Sequence, residues 1–173
     1  KQTPSADRNI NHNLLWQYAY PLLYRQELET KCREVGLIDP FLMHALIREE
    51  SRYETHAVSQ SKALGLCQLM PATATSVSKQ SGISFAENKL YQADYNIMLG
   101  TKYFKSMLDI FRGSALLAVA GYNAGPGAAK AGLTEQFVIS DPDWYVENFP
   151  YRETRDYIRK VFSSYYLYRQ IYQ

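Results

Sequence analysis

The chain has 173 residues, 46% of them hydrophobic and 21% charged, with a net charge of +2. Those proportions suit an ordinary soluble domain with a sizeable core. The balanced charge, without a Lys/Arg cluster interleaved with aromatics, argues against a nucleic-acid surface, and no apolar run approaches the length of a membrane span. Cys32 and Cys67 lack CxxC spacing and a nearby histidine, so they read as two buried thiols and not as metal ligands; a single disulfide between them stays open. Tyrosine is the compositional excess, 15 copies against 7 phenylalanines. Its flat face and hydroxyl suit both half-buried packing and sugar binding. The chain opens at Lys1 without an initiator methionine or a leader, so it reads as a piece of a longer protein.

The first dozen residues are polar and aperiodic, as in a tail or linker. Leu14 to Tyr20 reads as a helix that stops at Pro21. A second helix is expected from there, with Pro21 in its first turn and Gly36 as its stop. Asp39-Pro40 is a strong helix start, an N-cap followed by proline at the first helical position. The helix it opens runs to about Ser51, and with Phe41, Leu42, Met43, Ala45, Leu46 and Ile47 it has little polar surface. Residues 54–70 show no helical period and read as loop with a short strand at most.

Pro71 opens a further helix that Gly82 closes. Asp94 to Arg112 is amphipathic, with Ile97, Gly100, Phe104, Leu108 and Phe111 at helical spacing. Ser114 caps the small-residue helix ALLAVAGYNAG, expected at the centre of the core. The last helix, Glu153 to Tyr172, carries Ile158, Val161, Tyr165, Tyr168 and Tyr172 on one stripe. The fold class expected is therefore mainly α, with at most a small β element around residues 57–69.

Motifs for dinucleotide or phosphate binding, the GxSxG elbow and HExxH are all absent. His12, His44 and His56 lack ligand spacing, and His44 on a buried helix reads as a satisfied core histidine. Carboxylates remain. Glu49 and Glu50 lie in the last turn of their helix, where the negative end of the dipole disfavours an anion. Glu50 also follows Met43 and Ile47 at helical spacing. Both effects raise a carboxyl pKa, and a protonated carboxyl near neutral pH is what a general acid for a glycosidic oxygen needs. Glu49 shares a face with Leu42, Ala45 and Leu46, so the helical wheel does not choose between the two.

Three segments in order, EESRYETHAVSQSKALGLCQLMPATA, AGYNAGPG and VENFPYRETRDYI, resemble the catalytic domain of the soluble lytic transglycosylases, a lysozyme-like superfamily. The likeness runs from about Tyr20 through the last helix. It implies that Glu50, the glutamate before Ser51, is the catalytic acid. It also implies cleavage of the β-1,4 bond between N-acetylmuramic acid and N-acetylglucosamine in peptidoglycan, closing a 1,6-anhydromuramyl end without water, cofactor or metal. Ordinary glycosidases use two carboxylates; no second acid stands in a partner motif here.

The same resemblance places Ser59, Gln68 and Met70 on the cleft as substrate-binding residues. Loop turn bonds and core packing are the structural alternatives for these three. Tyr122 and Asn123 are implied as substrate-binding residues too, the Tyr122 hydroxyl beside the acid or the acetamido group, with a helix-end cap as the alternative for Asn123. Glu147 resembles a second acidic cleft residue, against an ion pair with Arg152 or Arg155; Glu153 and Arg155 read as structural. Cys67 stands where the family usually has Met, and Gly121 where Ala is usual.

The competing readings are a goose-type lysozyme, which would hydrolyse with water, and a catalytically idle glycan-binding module. Residues 1–36 are expected as a tail and lead-in helices, such as would end a preceding helical domain, and 37–173 as the catalytic domain. The partner implied is the peptidoglycan glycan strand. A periplasmic or cell-wall-facing location follows from that substrate alone.

Overall fold

The computed structural model describes residues 12–37, 39–131 and 141–173. Among these, nine helices follow in order: α1 (His12–Ala19), α2 (Arg25–Glu34), α3 (Pro40–Ser51), α4 (Pro71–Gln80), α5 (Ala93–Ile110), α6 (Ala115–Ala124), α7 (Pro126–Ala131), α8 (Pro142–Asn148) and α9 (Arg152–Tyr172). A single 3-10 segment, Glu87–Tyr91, precedes α5. β pairing among the described residues is limited to two bridges, Val58 with Leu64 and Leu64 with Leu69. The expected fold class holds, down to the location of the small β element.

Local chemistry explains most boundaries. Asp39 caps α3 by accepting from the Phe41 amide at 2.9 Å, with Pro40 at the first helical position. Ser114 caps α6 through the Leu117 amide. Asp141, which lacked a reading from the sequence, caps α8 through the Trp144 amide at 2.9 Å. α5 stops because Arg112 and Gly113 both turn left-handed, at φ 51° and 86°.

One boundary departs from expectation. α2 starts at Arg25, not at Pro21, and Tyr24 before it is left-handed at φ 56°. The reason is tertiary. The carbonyls of Ala19, Tyr20 and Pro21 accept from Arg48, Tyr172 and Tyr168, so the lead-in is tied down against α3 and α9 before a helix can start. α2 turns only one edge to the core, with Leu28 at 0% and Cys32 at 1% exposure.

α9 packs along α3, and α6 packs against both α5 and α9. Ala118, Val119 and Ala120 of α6 are fully buried, as a central helix of small residues requires. Two glycines are there for space. A Cβ on Gly121 would meet the Phe111 ring at 2.7 Å, and one on Gly100 would meet Cys67 Sγ at 2.3 Å. Both cysteines are buried and unpaired, as read from their spacing. Burial pushes the Cys32 thiol up to about 12. The helical stripe expected for α5 holds with one exchange, since Met107 is buried where Leu108 is half-buried.

Candidate active site

Glu50 reaches its place because α3 is buried over six consecutive residues, Leu42 to Ile47, all apolar except the hydrogen-bonded His44, and is driven into the core. Arg52 and Tyr53, left-handed at φ 51° and 66°, then turn the chain sharply away. Glu50 is thus delivered half-buried on the last turn, against α9. Its carboxyl Oε1 accepts from the Tyr157 hydroxyl at 2.6 Å. Burial pushes the carboxyl up to about 7; the Tyr157 bond pulls it back, while the Glu153 and Glu49 charges add to the rise. Tyr157 is buried, and its own ionisation is pushed far up, first by burial and then by Glu50. It therefore acts as a donor throughout the neutral range.

Beneath this pair lies a floor built by the 54–70 loop. The Tyr122 hydroxyl, buried in α6, donates to the Cys67 carbonyl at 2.8 Å. Tyr122 thus bonds the loop backbone and not Glu50. Asn96 of α5 is fully buried and does the same work from below. Its Oδ1 accepts from the Cys67 amide at 2.7 Å, and its Nδ2 donates to Leu64 and Leu90 carbonyls at 3.0 and 2.8 Å. A buried, fully bonded amide fixes loop shape more strictly than apolar packing does.

The other anticipated residues fall into two groups. Ser59 and Gln68 are engaged with the loop itself. Ser59 Oγ accepts from the Ala63 amide at 2.9 Å, and Gln68 Nε2 donates to the Ala57 and Gly65 carbonyls at 3.1 and 2.8 Å. Met70 is 41% exposed where the loop enters α4. Asn123 is tied to α9, with its Oδ1 accepting from Thr154 Oγ1 at 2.8 Å.

Glu147 is exposed and pairs with Arg159, neither Arg152 nor Arg155. It lines a hollow of about 560 Å³ between α6, α8 and α9 whose lining does not include Glu50. Arg155 instead donates to the Phe149 carbonyl at 2.6 Å, and Arg152 lies 3.8 Å from Asp156. The described residues hold no His/Cys/Asp/Glu grouping able to bind a metal ion.

Two residues of this neighbourhood escaped the sequence reading, Tyr157 and Asn96. Tyr157 stands one position before Ile158, and Thr154, Tyr157, Ile158 and Val161 are all buried. Helical spacing marks that face, yet it does not reveal which residue of α3 lies opposite. Asn96 sits beside Ile97 in a buried stretch, where a polar residue is a signal in itself.

The family model for the transglycosylase SLT domain matches residues 29–137. The chain belongs to that family. It is 31% identical to the soluble lytic murein transglycosylase of Salmonella typhimurium over 88% of its own length and 24% of that protein. The Escherichia coli K12 protein of the same name is 30% identical, over 89% of this chain and 25% of that one.

Among solved structures, an inactive Glu-to-Gln mutant of the lytic transglycosylase Slt from Pseudomonas aeruginosa superposes with a TM-score of 0.83. It is 34% identical and covers 89% of this chain, which spans 25% of it. The 70 kDa soluble lytic transglycosylase of Escherichia coli gives 0.84 at 29% identity, over 90% of this chain and 25% of that one. The lysozyme-like helical fold is thereby shared. The chain spans about a quarter of the length of these relatives.

Proposed function

We propose that this domain is a lytic transglycosylase of peptidoglycan, acting through Glu50 alone as acid and then base. The observation that carries the reading is the half-buried Glu50 carboxyl, pushed up to about 7 and held by the Tyr157 hydroxyl at 2.6 Å. Family membership supports the substrate class, since the relatives are named murein transglycosylases. The relative made inactive by a Glu-to-Gln change supports an essential glutamate.

Protonated Glu50 donates to the glycosidic oxygen between N-acetylmuramic acid and N-acetylglucosamine as the C1–O bond breaks. The resulting carboxylate then takes the proton of the muramyl C6 hydroxyl, whose oxygen closes on C1. Atoms balance without water, and Glu50 ends as it began. The nucleophile belongs to the substrate, so its proximity is already supplied. A carboxyl whose pKa lies near neutrality serves both halves, because neither protonation state is far from reach.

Tyr157 holds the acid's orientation through a bond that survives both states. Ser59, Gln68 and Met70, together with Tyr122 and Asn123, are assigned to the sugar-binding walls. Ser59, Gln68, Tyr122 and Asn123 act there by shaping the backbone that faces the glycan, and Met70 by exposed apolar contact. Glu147 is assigned to the outer rim. The enzyme acts where peptidoglycan is, in the periplasm or facing the cell wall.

The test is mass spectrometry of muropeptides released from purified sacculi by this protein and by Glu50→Gln. Products one water lighter than hydrolysed ones, absent with the variant, are expected. Reducing muramic acid ends would convert the reading to lysozyme-type hydrolysis. Products that persist with Glu50→Gln would remove Glu50 from the mechanism.

A further inference from the structure

The two adjacent glutamates at the end of α3 are both held by hydroxyls of α9, two helical turns apart. Tyr157 donates to Glu50 Oε1 at 2.6 Å, and Ser164 donates to Glu49 Oε1 at 2.6 Å. Glu49 is no solvated helix end, since its side chain is only 11% exposed. Arg48 pairs with it at 2.9 Å, and Arg48 is itself seated over the Tyr20 ring at 4.1 Å. A carboxylate in the last turn of a helix faces the negative end of the dipole, and covering it costs more unless it is paired and bonded. Ser164 and Arg48 supply that compensation, in a place where an apolar residue would have packed without it.

We propose that Glu49 is a positioning residue for Glu50: a carboxylate fixed by Ser164 and Arg48 that holds its charge in one place beside the acid. Arg48, braced on the lead-in at Tyr20, sets how much of that charge Glu50 feels. The proposal rests on Glu50 being the acid.

Among the described residues, the groups facing Glu50 from the surrounding elements are few. Tyr157 and Glu153 come from α9, Cys67 from the loop before α4, Tyr122 from α6, and Glu49 from α3 itself. Burial is the leading cause of the rise, and Glu153 and Glu49 follow as like charges. Glu153 is exposed, so solvent and salt screen it, whereas Glu49 is covered. The two contributions are therefore separable by ionic strength.

The experiment is the pH profile of kcat/KM for anhydromuropeptide release from sacculi, at low and high salt. Glu49→Gln is expected to move the alkaline limb to lower pH by about half a unit to one unit, at both salt concentrations. Arg48→Met, which leaves Glu49 uncompensated, is expected to move it to higher pH by a similar amount. Arg48→Lys keeps the charge and should hold the limb near wild type, so this pair tests the idea even if Glu49→Gln fails to fold. Glu153→Gln should shift the limb at low salt only.

An unmoved limb in folded Glu49→Gln, or movement of the Glu49→Gln and Arg48→Met limbs in the same direction, would overturn the proposal. If Glu50→Gln were inactive while those limbs stayed fixed, only the positioning role would fail. If Glu50→Gln remained active, the acid assignment would fall, and this proposal with it.

Discussion

Two polar clusters bridge α3 and α9, and they are built on opposite terms. The first is closed. His44 Nδ1 bonds the Tyr53 hydroxyl at 2.9 Å, Tyr53 bonds the Tyr168 hydroxyl at 2.9 Å, and Tyr168 donates to the Pro21 carbonyl at 3.2 Å. All three side chains are buried, and burial holds His44 down at about 4, so it stays neutral. The second cluster, Glu49 and Glu50 with Ser164 and Tyr157, is half-covered. Among the described residues, the Glu50 carboxyl takes one hydrogen bond. The first cluster spends its polar atoms on each other and gains rigidity. The second leaves bonding capacity on a half-buried carboxyl that no described residue takes up, which a structural network would have no reason to do.

The sharpest break between them is Glu50→Gln. Activity should fall by about 10²–10⁴-fold, the usual range for one general acid–base group, measured as muropeptide release at saturating sacculi. Stability should move the other way. Glu50 is pushed from 4.5 up to about 7 in the fold, so the folded state holds a proton that the unfolded state gives up. Stability therefore falls as pH rises from 4.5 to 7 and stays low above. Above pH 7 Glu50→Gln should recover on the order of 2–3 kcal/mol, read from urea midpoints at pH 5 and pH 8.

His44 supplies the opposite slope. Its folded pKa lies below 6.5, so its contribution is complete above 6.5 and is lost as pH falls towards 4. The two clusters together predict a stability maximum between these limits. A monotonic profile in the wild type that Glu50→Gln leaves unchanged would contradict the Glu50 half of this account.

Next in size is Tyr53→Phe. It strips the central hydroxyl from the closed cluster and leaves His44 Nδ1 without its buried partner. The cost should be about 1–3 kcal/mol in urea denaturation, with kcat/KM within a few-fold of wild type. A large loss of activity without a loss of stability would mean that the two clusters are not separable.

The same contrast explains what the sequence disclosed. Helix starts at Asp39 and Ser114 and the core face of α3 all follow from local rules that need no partner. So does the neutral burial of His44. The pairing of Glu50 with Tyr157 spans 107 positions, and that of Glu49 with Ser164 spans 115; no periodicity links such distant residues. The early start expected for α2 failed for the same reason, since the Ala19, Tyr20 and Pro21 carbonyls bind donors from α3 and α9. Gly121, odd by helix propensity, becomes intelligible only with the Phe111 ring lying 2.7 Å from where a Cβ would stand. Ser59 and Tyr122 were placed at the cleft by family likeness, yet their own hydroxyls serve the loop backbone.

Tyr157→Phe should have a smaller effect than either change above, and its direction is diagnostic. The phenol stabilises the Glu50 anion, so its loss should move the alkaline limb of kcat/KM to higher pH, by up to about one unit. Plateau activity should fall as well, through lost orientation of the carboxyl. A limb that moved to lower pH would mean that the hydroxyl bonds the protonated acid better than the anion.

Glu147→Gln closes the series. Glu147 is 65% exposed and pairs with an Arg159 that is itself 44% exposed. Exposed pairs contribute about 0–1 kcal/mol, so urea stability should barely change. Activity on sacculi separates the two remaining roles of this residue. If Glu147 grips the glycan at the rim, KM should rise a few-fold with kcat intact, because it touches no reacting atom. If its sole business is Arg159, both parameters should stay at wild type, and Arg159→Gln should match it. In neither case should the pH profile move, since Glu147 is not among the charges that act on Glu50. A shifted limb in Glu147→Gln would draw the outer rim into the acid's electrostatics and erase the boundary between the cleft and the hollow beside α8.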